Sequence, residues 1–160
     1  MGYFTQPSAI GPMPGRVAPL SAERIMAALD SRDWHYETDD DGDNCGSWDG
    51  HMFYFSRLGH SKEIFMVRGR WEARPAIDLA PQILRVLNDW HRDHLFPKGL
   101  IVEFPDDGIL RVFTELTIDC EQGITDNQLM LHITAGISTS LDLFKALAEA
   151  FPGVQEADAE

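Results

Sequence analysis

Only two cysteines occur in the 160 residues, Cys45 and Cys120, and they show neither C-x-x-C spacing nor an accompanying histidine pattern. Zinc ribbons and thioredoxin-type redox sites both need such a set, so the sequence gives no support for either chemistry. Free thiols in a reducing, cytoplasmic setting are the expectation. Long apolar runs are also missing: no window approaches the ~18 residues of a membrane span, and the first residues contain no apolar stretch after a basic start. Gly2 does not signal myristoylation, because Gln6 occupies the position that takes Ser or Thr. Positive charge is scarce, with 13 Lys and Arg against 26 Asp and Glu, a formal charge of −13. Such a field repels phosphate backbones and anionic headgroups, so neither nucleic acid nor membrane is an expected partner. The local group Lys62, Arg68, Arg70 and Arg74 reads as a solvated strand face.

Catalytic and ligand-binding signatures are equally thin. There is no glycine-rich phosphate loop, "GSWDG" at 46–50 is not a G-x-S-x-G nucleophile elbow, and neither cysteine has the local signature of a catalytic thiol. Asp39, Asp41 and Asp43 alternate like the first ligands of a calcium loop. The sixth position of that loop, which needs Gly, is Asn44, and the twelfth, which needs a bidentate carboxylate, is Gly50. A solvated hairpin is the better reading. His91 and His94 stand one helical turn apart, but two ligands without a companion motif do not make a metal site, and cations at a helix end suit the dipole. A kinase-type reading of Asp93 fails because the position five residues on is Lys98, not Asn. No cofactor, metal or catalytic residue is assigned, and catalysis would have to come from residues far apart in sequence.

What is present is an ordinary globular composition, 44% apolar and 24% charged, in a chain sized for one domain. Residues 1–19, rich in proline and glycine, read as a flexible arm; residues 20–152 form the domain; residues 153–160 are an acidic tail. Ser21 is a candidate N-cap with Leu20 stapling onto Ile25, and Ile25, Ala28 and Leu29 give the helix its buried stripe. From Trp34 to Trp71, short aromatic and β-branched runs alternate with the Asp41-Gly42 and Asp49-Gly50 turns, the pattern of an antiparallel meander. Asp78 and Pro81 open a second helix, with Ile83, Leu84, Leu87, Trp90 and His94 at steps of three and four, running to about Leu95. "GLIVEF" and "ILRVFTELTID" form a hairpin around Pro105–Gly108, with Leu110, Val112, Leu116 and Ile118 on one face. Thr125 and Gln128 make a capping box for one long helix to about Phe151, with Met130, Ile133, Ile137, Leu141, Phe144, Leu147 and Phe151 as its stripe. The class is α+β: an antiparallel sheet of five to six strands with helices packed against it.

Period-two alternation divides the strands. If Phe53, Phe55, Phe65, Val67 and Trp71 face the core with Leu110 and Val112, then Met52, Tyr54, Met66, Arg68, Arg111 and Phe113 face the other way. Met, Tyr, Phe and Arg are enriched at protein interfaces, which makes these six the candidate partner-binding residues; the alternative is a second helix layer covering them.

The strings "LSAERIMAALDSRDWHYETDDDGDNCGSWDGHMFYF", "IFMVRGRW", "LNDWHRDHLFPKGLIVEFPDDGILRVFTE" and "GITDNQL…FKALAEAFP" resemble the YbjN family of bacterial proteins over roughly Leu20 to Pro152. That resemblance implies a fold similar to type III secretion chaperones, dimer formation, and membership among proteins labelled sensory transduction regulators. It brings no catalytic residues. Trp48, Phe53, Phe55, Trp71 and Trp90 look like family signature positions with structural roles. The expectation is therefore a non-enzymatic, cytoplasmic, homodimeric interaction protein, chaperone-like or regulatory, that binds a protein partner or segment. The alternative is a sensor that responds to a small molecule or metal ion.

Overall fold

The computed structural model describes residues 15–154 and consists of three helices and a six-stranded antiparallel sheet. Helix α1 (Ala22–Asp30) is followed by strands β1 (Glu37–Thr38), β2 (Asn44–Trp48), β3 (His51–Leu58) and β4 (Ile64–Arg70). A 3-10 turn at Ile77–Leu79 leads into α2 (Ala80–Asp93), then β5 (Lys98–Phe104), β6 (Ile109–Asp119) and α3 (Asp126–Ala150). The strand order is β1-β2-β3-β4-β6-β5, so the last hairpin joins the meander through β6 and leaves β5 at the edge. The α+β class and the strand number match the sequence expectation.

Local chemistry explains the boundaries. Ser21 caps α1 by accepting from the Arg24 N–H, and the Thr125–Gln128 box caps α3 reciprocally. The tight β2–β3 turn puts Asp49 at φ 49° and Gly50 at φ 80°, the left-handed pair that suits a two-residue hairpin. In the preceding turn, Asp39 Oδ1 accepts from the backbone N–H groups of Asp41 at 3.1 Å and Asp43 at 2.9 Å. The acidic stretch is thus a hairpin in which one carboxylate organises the turn. Arg24 fastens the chain entry to the start of α3. Its guanidinium donates to the carbonyls of Ala18, Pro19 and Ile124 and to Asp126 Oδ1 at 2.6–3.0 Å. Of the expected arm, residues 15–19 are described and Ala18 pairs with Ile124; residues 1–14 and 155–160 lie outside the described residues.

All three helices pack on one face of the sheet, the face that carries Phe53, Phe55, Phe65, Val67, Leu110 and Val112. These side chains are at most 1% exposed, as the alternation predicts. Two stripes differ from expectation. Leu84 is 50% exposed, because α2 lies along the sheet margin and buries Ala80, Ile83, Leu87 and Trp90 instead. In α3 the buried set is Leu129, Ile133, Gly136, Ile137, Thr139, Ser140, Leu143, Phe144 and Leu147, while Met130, Leu141 and Phe151 are half-buried. The helix turns its small residues to the sheet: a Cβ at Gly136 would come within 2.7 Å of the Val67 side chain.

That contact gives the first prediction. Gly136→Ala gains about 1 kcal/mol of helix propensity, but overpacking against Val67 costs about 1–3 kcal/mol. With Val67 wedged between strand and helix, net destabilisation is expected, seen as a lower urea midpoint at unchanged m-value. A variant as stable as the parent would show that α3 can shift freely on β4.

Candidate functional site

The side of the sheet away from the helices is the candidate site. Among the described residues no helix crosses it, and its composition follows from strand register. Cys45, Tyr54, Arg68, Glu115 and Lys98 are aligned as successive cross-strand partners from β2 through β3, β4 and β6 to β5. The next row runs Ser47, Met52, Arg70, Phe113, Leu100. Partners on one face of adjacent strands have neighbouring side chains, so sequence positions as distant as 45 and 115 form one surface.

Cations and carboxylates interleave there. Glu115 lies between Arg68, whose Nε is 3.6 Å from its Oε1, and Lys98, whose Nζ pairs with its other oxygen. Glu72 receives Arg70 at 2.7 Å and has Arg111 at 3.7 Å, while Arg111 also donates to the Glu72 backbone carbonyl at 3.2 Å. Arg70 Nη1 donates to the Tyr54 hydroxyl at 3.3 Å, and the Arg68 guanidinium carbon rests 4.4 Å from the centre of the Phe113 ring. Burial, and secondarily the charges of Arg74 and Arg70, pushes the Arg111 guanidinium below its ordinary value. Four cations, Arg68, Arg70, Arg111 and Lys98, thus meet two carboxylates at the centre of the face, a local positive excess on an acidic protein. The buried Arg68 Nε has no hydrogen-bond partner among the described residues.

Of the six candidates, Met52, Tyr54, Arg68, Arg111 and Phe113 are half-buried on this face. Met66, between Ser56 and Thr117, is on the same face but only 8% exposed and offers little surface. Glu72, Arg70, Glu115 and Lys98 complete the constellation. Alternation alone would have placed Arg70 and Glu115 on this face, but their pairing depends on β4 lying beside β6. The histidines of α2 are engaged separately: the His91 Nε2 accepts from the Gly99 N–H at 2.9 Å, and the His94 ring stacks on Trp90 at 3.7 Å. Among the described residues no three His, Cys, Asp or Glu side chains gather as a metal-ion site.

A second concavity, about 390 Å³ and mostly apolar, lies between α3 and the end of β6, lined by Phe96, Leu116, Ile118, Leu131 and His132. No sequence signal marked it. Its one titratable group, His132, has its ring tilted against Phe65 at 5.4 Å, with Nε2 3.1 Å from the Leu116 carbonyl. Burial lowers its pKa, and the hydrogen bond opposes that shift only in part.

The sequence profile of the YbjN family, described as "Putative bacterial sensory transduction regulator", matches residues 21–149. The crystal structure of YbjN from E. coli superposes with a TM-score of 0.72 at 13% identity, covering 88% of this chain and 99% of that one. An uncharacterized protein from Methanothermobacter thermautotrophicus superposes with a TM-score of 0.57 at 12% identity, covering 82% and 99%. At these identities the structures share the fold. No curated protein matches the sequence. Among the described residues no helix is long and apolar enough to cross a membrane.

His132 carries a pH signature whose sign follows from its surroundings. The folded state holds the ring neutral, while the unfolded chain takes up a proton near the ordinary histidine value of about 6.5. The contribution is therefore intact above about pH 6.5, erodes as pH falls from there toward the lowered folded value, and levels off below it. The denaturation midpoint is expected to drop in that window, and His132→Gln, which keeps a donor for Leu116, is expected to flatten the slope. An equal slope in parent and variant would assign the effect to another group.

Proposed function

The chain belongs to the YbjN family, and from that premise we propose that it is a non-enzymatic interaction domain, chaperone-like or regulatory, which binds a protein segment on the helix-free face of its sheet. The observation that carries this reading is the composition of that face: Tyr54, Phe113 and Met52 interleaved with Arg68, Arg70 and Arg111, half-buried and with a surplus of cations. Aromatic and arginine side chains supply most of the binding energy at protein interfaces. A segment bearing carboxylates and a flat apolar side chain is the complement. The protein acts in the cytoplasm, as a homodimer and without a cofactor.

The E. coli relative is described as "a putative transcription regulator". For this chain, such a role would run through protein contact, since a formal charge of −13 opposes approach to DNA. Response to a small apolar molecule is the second reading, favoured by the groove beside His132.

Replacing Tyr54 with a photo-crosslinking amino acid in the host cell tests the first reading, with Leu131 on the groove as the comparison position. Position 54 is expected to yield a discrete adduct with a second, different polypeptide. The adduct should weaken strongly when Arg68→Ala is added, while the melting temperature stays within a few degrees of the parent. A polypeptide adduct from Leu131 alone would move the site to the groove. Absence of adducts from both, with a small molecule retained on purification, would replace this reading with the sensor.

A further inference from the structure

The groove between α3 and the end of β6 exposes apolar side chains that nothing among the described residues covers. Phe96 is 41% exposed and Leu131 58%, and Leu116 and Ile118 of β6 line the groove with them. Contiguous apolar surface of this kind marks a contact site. On α3, Gln128, Leu131, His132 and Ala135 recur at steps of three and four and share one side of the helix. Asp126, Asn127 and Met130 lie on the opposite side, across a charged cleft from Glu23, Arg24 and Arg32 of the α1 region.

The start of the described chain lies at one end of this groove. Ala18 and Ile124 exchange two backbone hydrogen bonds, at 3.3 and 2.9 Å, as an antiparallel bridge. Antiparallel pairing carries the residues before Ala18 toward the first turn of α3. Gly15 accordingly sits against Thr125, so close that a Cβ on it would come within 3.1 Å of the Thr125 Cβ. Thr125 Oγ1 in turn donates to Gln128 Oε1 at 3.0 Å, and Gln128 is the first residue of the groove wall. One side chain therefore separates Gly15 from the groove.

Residues 1–14, MGYFTQPSAIGPMP, lie outside the described residues, and their chemistry is unlike that of the rest of the chain. They contain no charged side chain, in a sequence that is 24% charged, and they carry Tyr3, Phe4, Ile10 and Met13 among three prolines. Proline has few conformations to lose, which lowers the entropy cost of ordering such a segment. Reach is not limiting. From Gly15 back to Ile10 the chain spans at most ~17 Å, and the wall from Gln128 to Ala135 runs about 10 Å along the helix axis.

We infer that residues 1–14 lie along this groove, with Met13 beside Gln128 and Ile10 against Leu131 and Phe96, so that the chain covers its own apolar surface. An uncharged apolar segment complements the groove, whereas the cleft beside α1 and the open face of the sheet are both lined with charge. A small apolar molecule would then enter only by displacing the segment, which lowers its apparent affinity by the fraction of chains whose groove is open. The inference rests on neither reading of the function. A bridge within one chain brings no second polypeptide, so the crosslinking experiment at Tyr54 stands or falls separately.

The test replaces Ile10 with benzoylphenylalanine in the full chain and irradiates an equal mixture of isotopically light and heavy protein. Peptide mapping is expected to find position 10 joined to the peptide that carries Gln128–Ala135, light to light and heavy to heavy. Leu131→Glu, at an exposed position, should reduce that link several-fold with the melting temperature unchanged, and Leu84→Glu, exposed on α2, should leave it intact. In the otherwise unaltered chain, Ile10→Ser with Met13→Ser should raise the fluorescence of an added anilinonaphthalene sulfonate dye several-fold, an increase that Leu131→Glu reverses. Links between light and heavy chains would overturn the inference in favour of a second copy in the groove. Links to Ala27 or Ser31 would place the segment in the charged cleft instead. Links scattered over the surface, no link at all, or dye fluorescence indifferent to the serine substitutions would each overturn it outright.

Discussion

The packing of α3 against β4 and β6 sets the geometry on which the other elements depend. Gly136 lets the helix come so close to Val67 that no side chain fits between them. One turn later Thr114 donates to the Ser140 hydroxyl at 2.6 Å and accepts from the Gly69 N–H at 3.2 Å, a polar thread with no exposed member among its hydroxyls. Gly69 is required there as well, since a Cβ would meet Thr114 Oγ1 at 2.6 Å and Phe53 at 2.9 Å. Small residues on both partners draw helix and sheet together, and the hydrogen bonds fix their position along each other. With α3 so placed, α1 and α2 flank it on the same side, and the Arg24 clamp joins the chain entry to its first turn.

One-sided packing has a consequence for the other face. Antiparallel sheets commonly turn one face to water, and polar side chains then alternate with the core residues. Here the central strands place Tyr54, Met52 and Phe113 on the open side with the arginines, which is more apolar and more cationic than solvation requires. The Glu115 and Glu72 carboxylates hold the guanidinium groups apart and oriented. Because these pairs are partly exposed, their value lies in orientation rather than in stability. Preformed orientation lowers the entropy lost when a partner docks.

Much of this was legible in the sequence where a local rule governs. The N-caps at Ser21 and Thr125, the Asp49-Gly50 turn and the division of β3, β4 and β6 into two faces all follow from residue type and period. The α3 stripe was incomplete because hydrophobic periodicity looks for large apolar residues: Leu141 packs against the core only in part, while the helix also buries Gly136 and Ser140. Leu84 misled for the opposite reason: an amphipathic pattern does not reveal that α2 lies at the sheet margin. The charged row of the candidate site depends on β4 pairing with β6 rather than with β5, an arrangement that no local pattern encodes. The His132 groove arises where α3 passes the end of β6, so it too exists only in three dimensions.

The non-sequential strand order also accounts for the edge. If the β5–β6 hairpin had joined the sheet through β5, the polar-rich β6 would form the margin, and KGLIVEF would be central with both its backbone ladders satisfied. Instead Trp71 and Pro75, in the extended chain after β4, bond to β6 and hold it inside. That leaves the more apolar strand of the hairpin outside, with His91 capping only one of its outward N–H groups. Natural edges are blunted by charge, proline or a covering loop, and here Lys98 and Glu103 at the two ends are the only charges of the strand. Lys98 turns to the open face beside Glu115, and Glu103 to the helix-bearing face opposite Leu110, so the edge strand carries one charge on each side of the sheet.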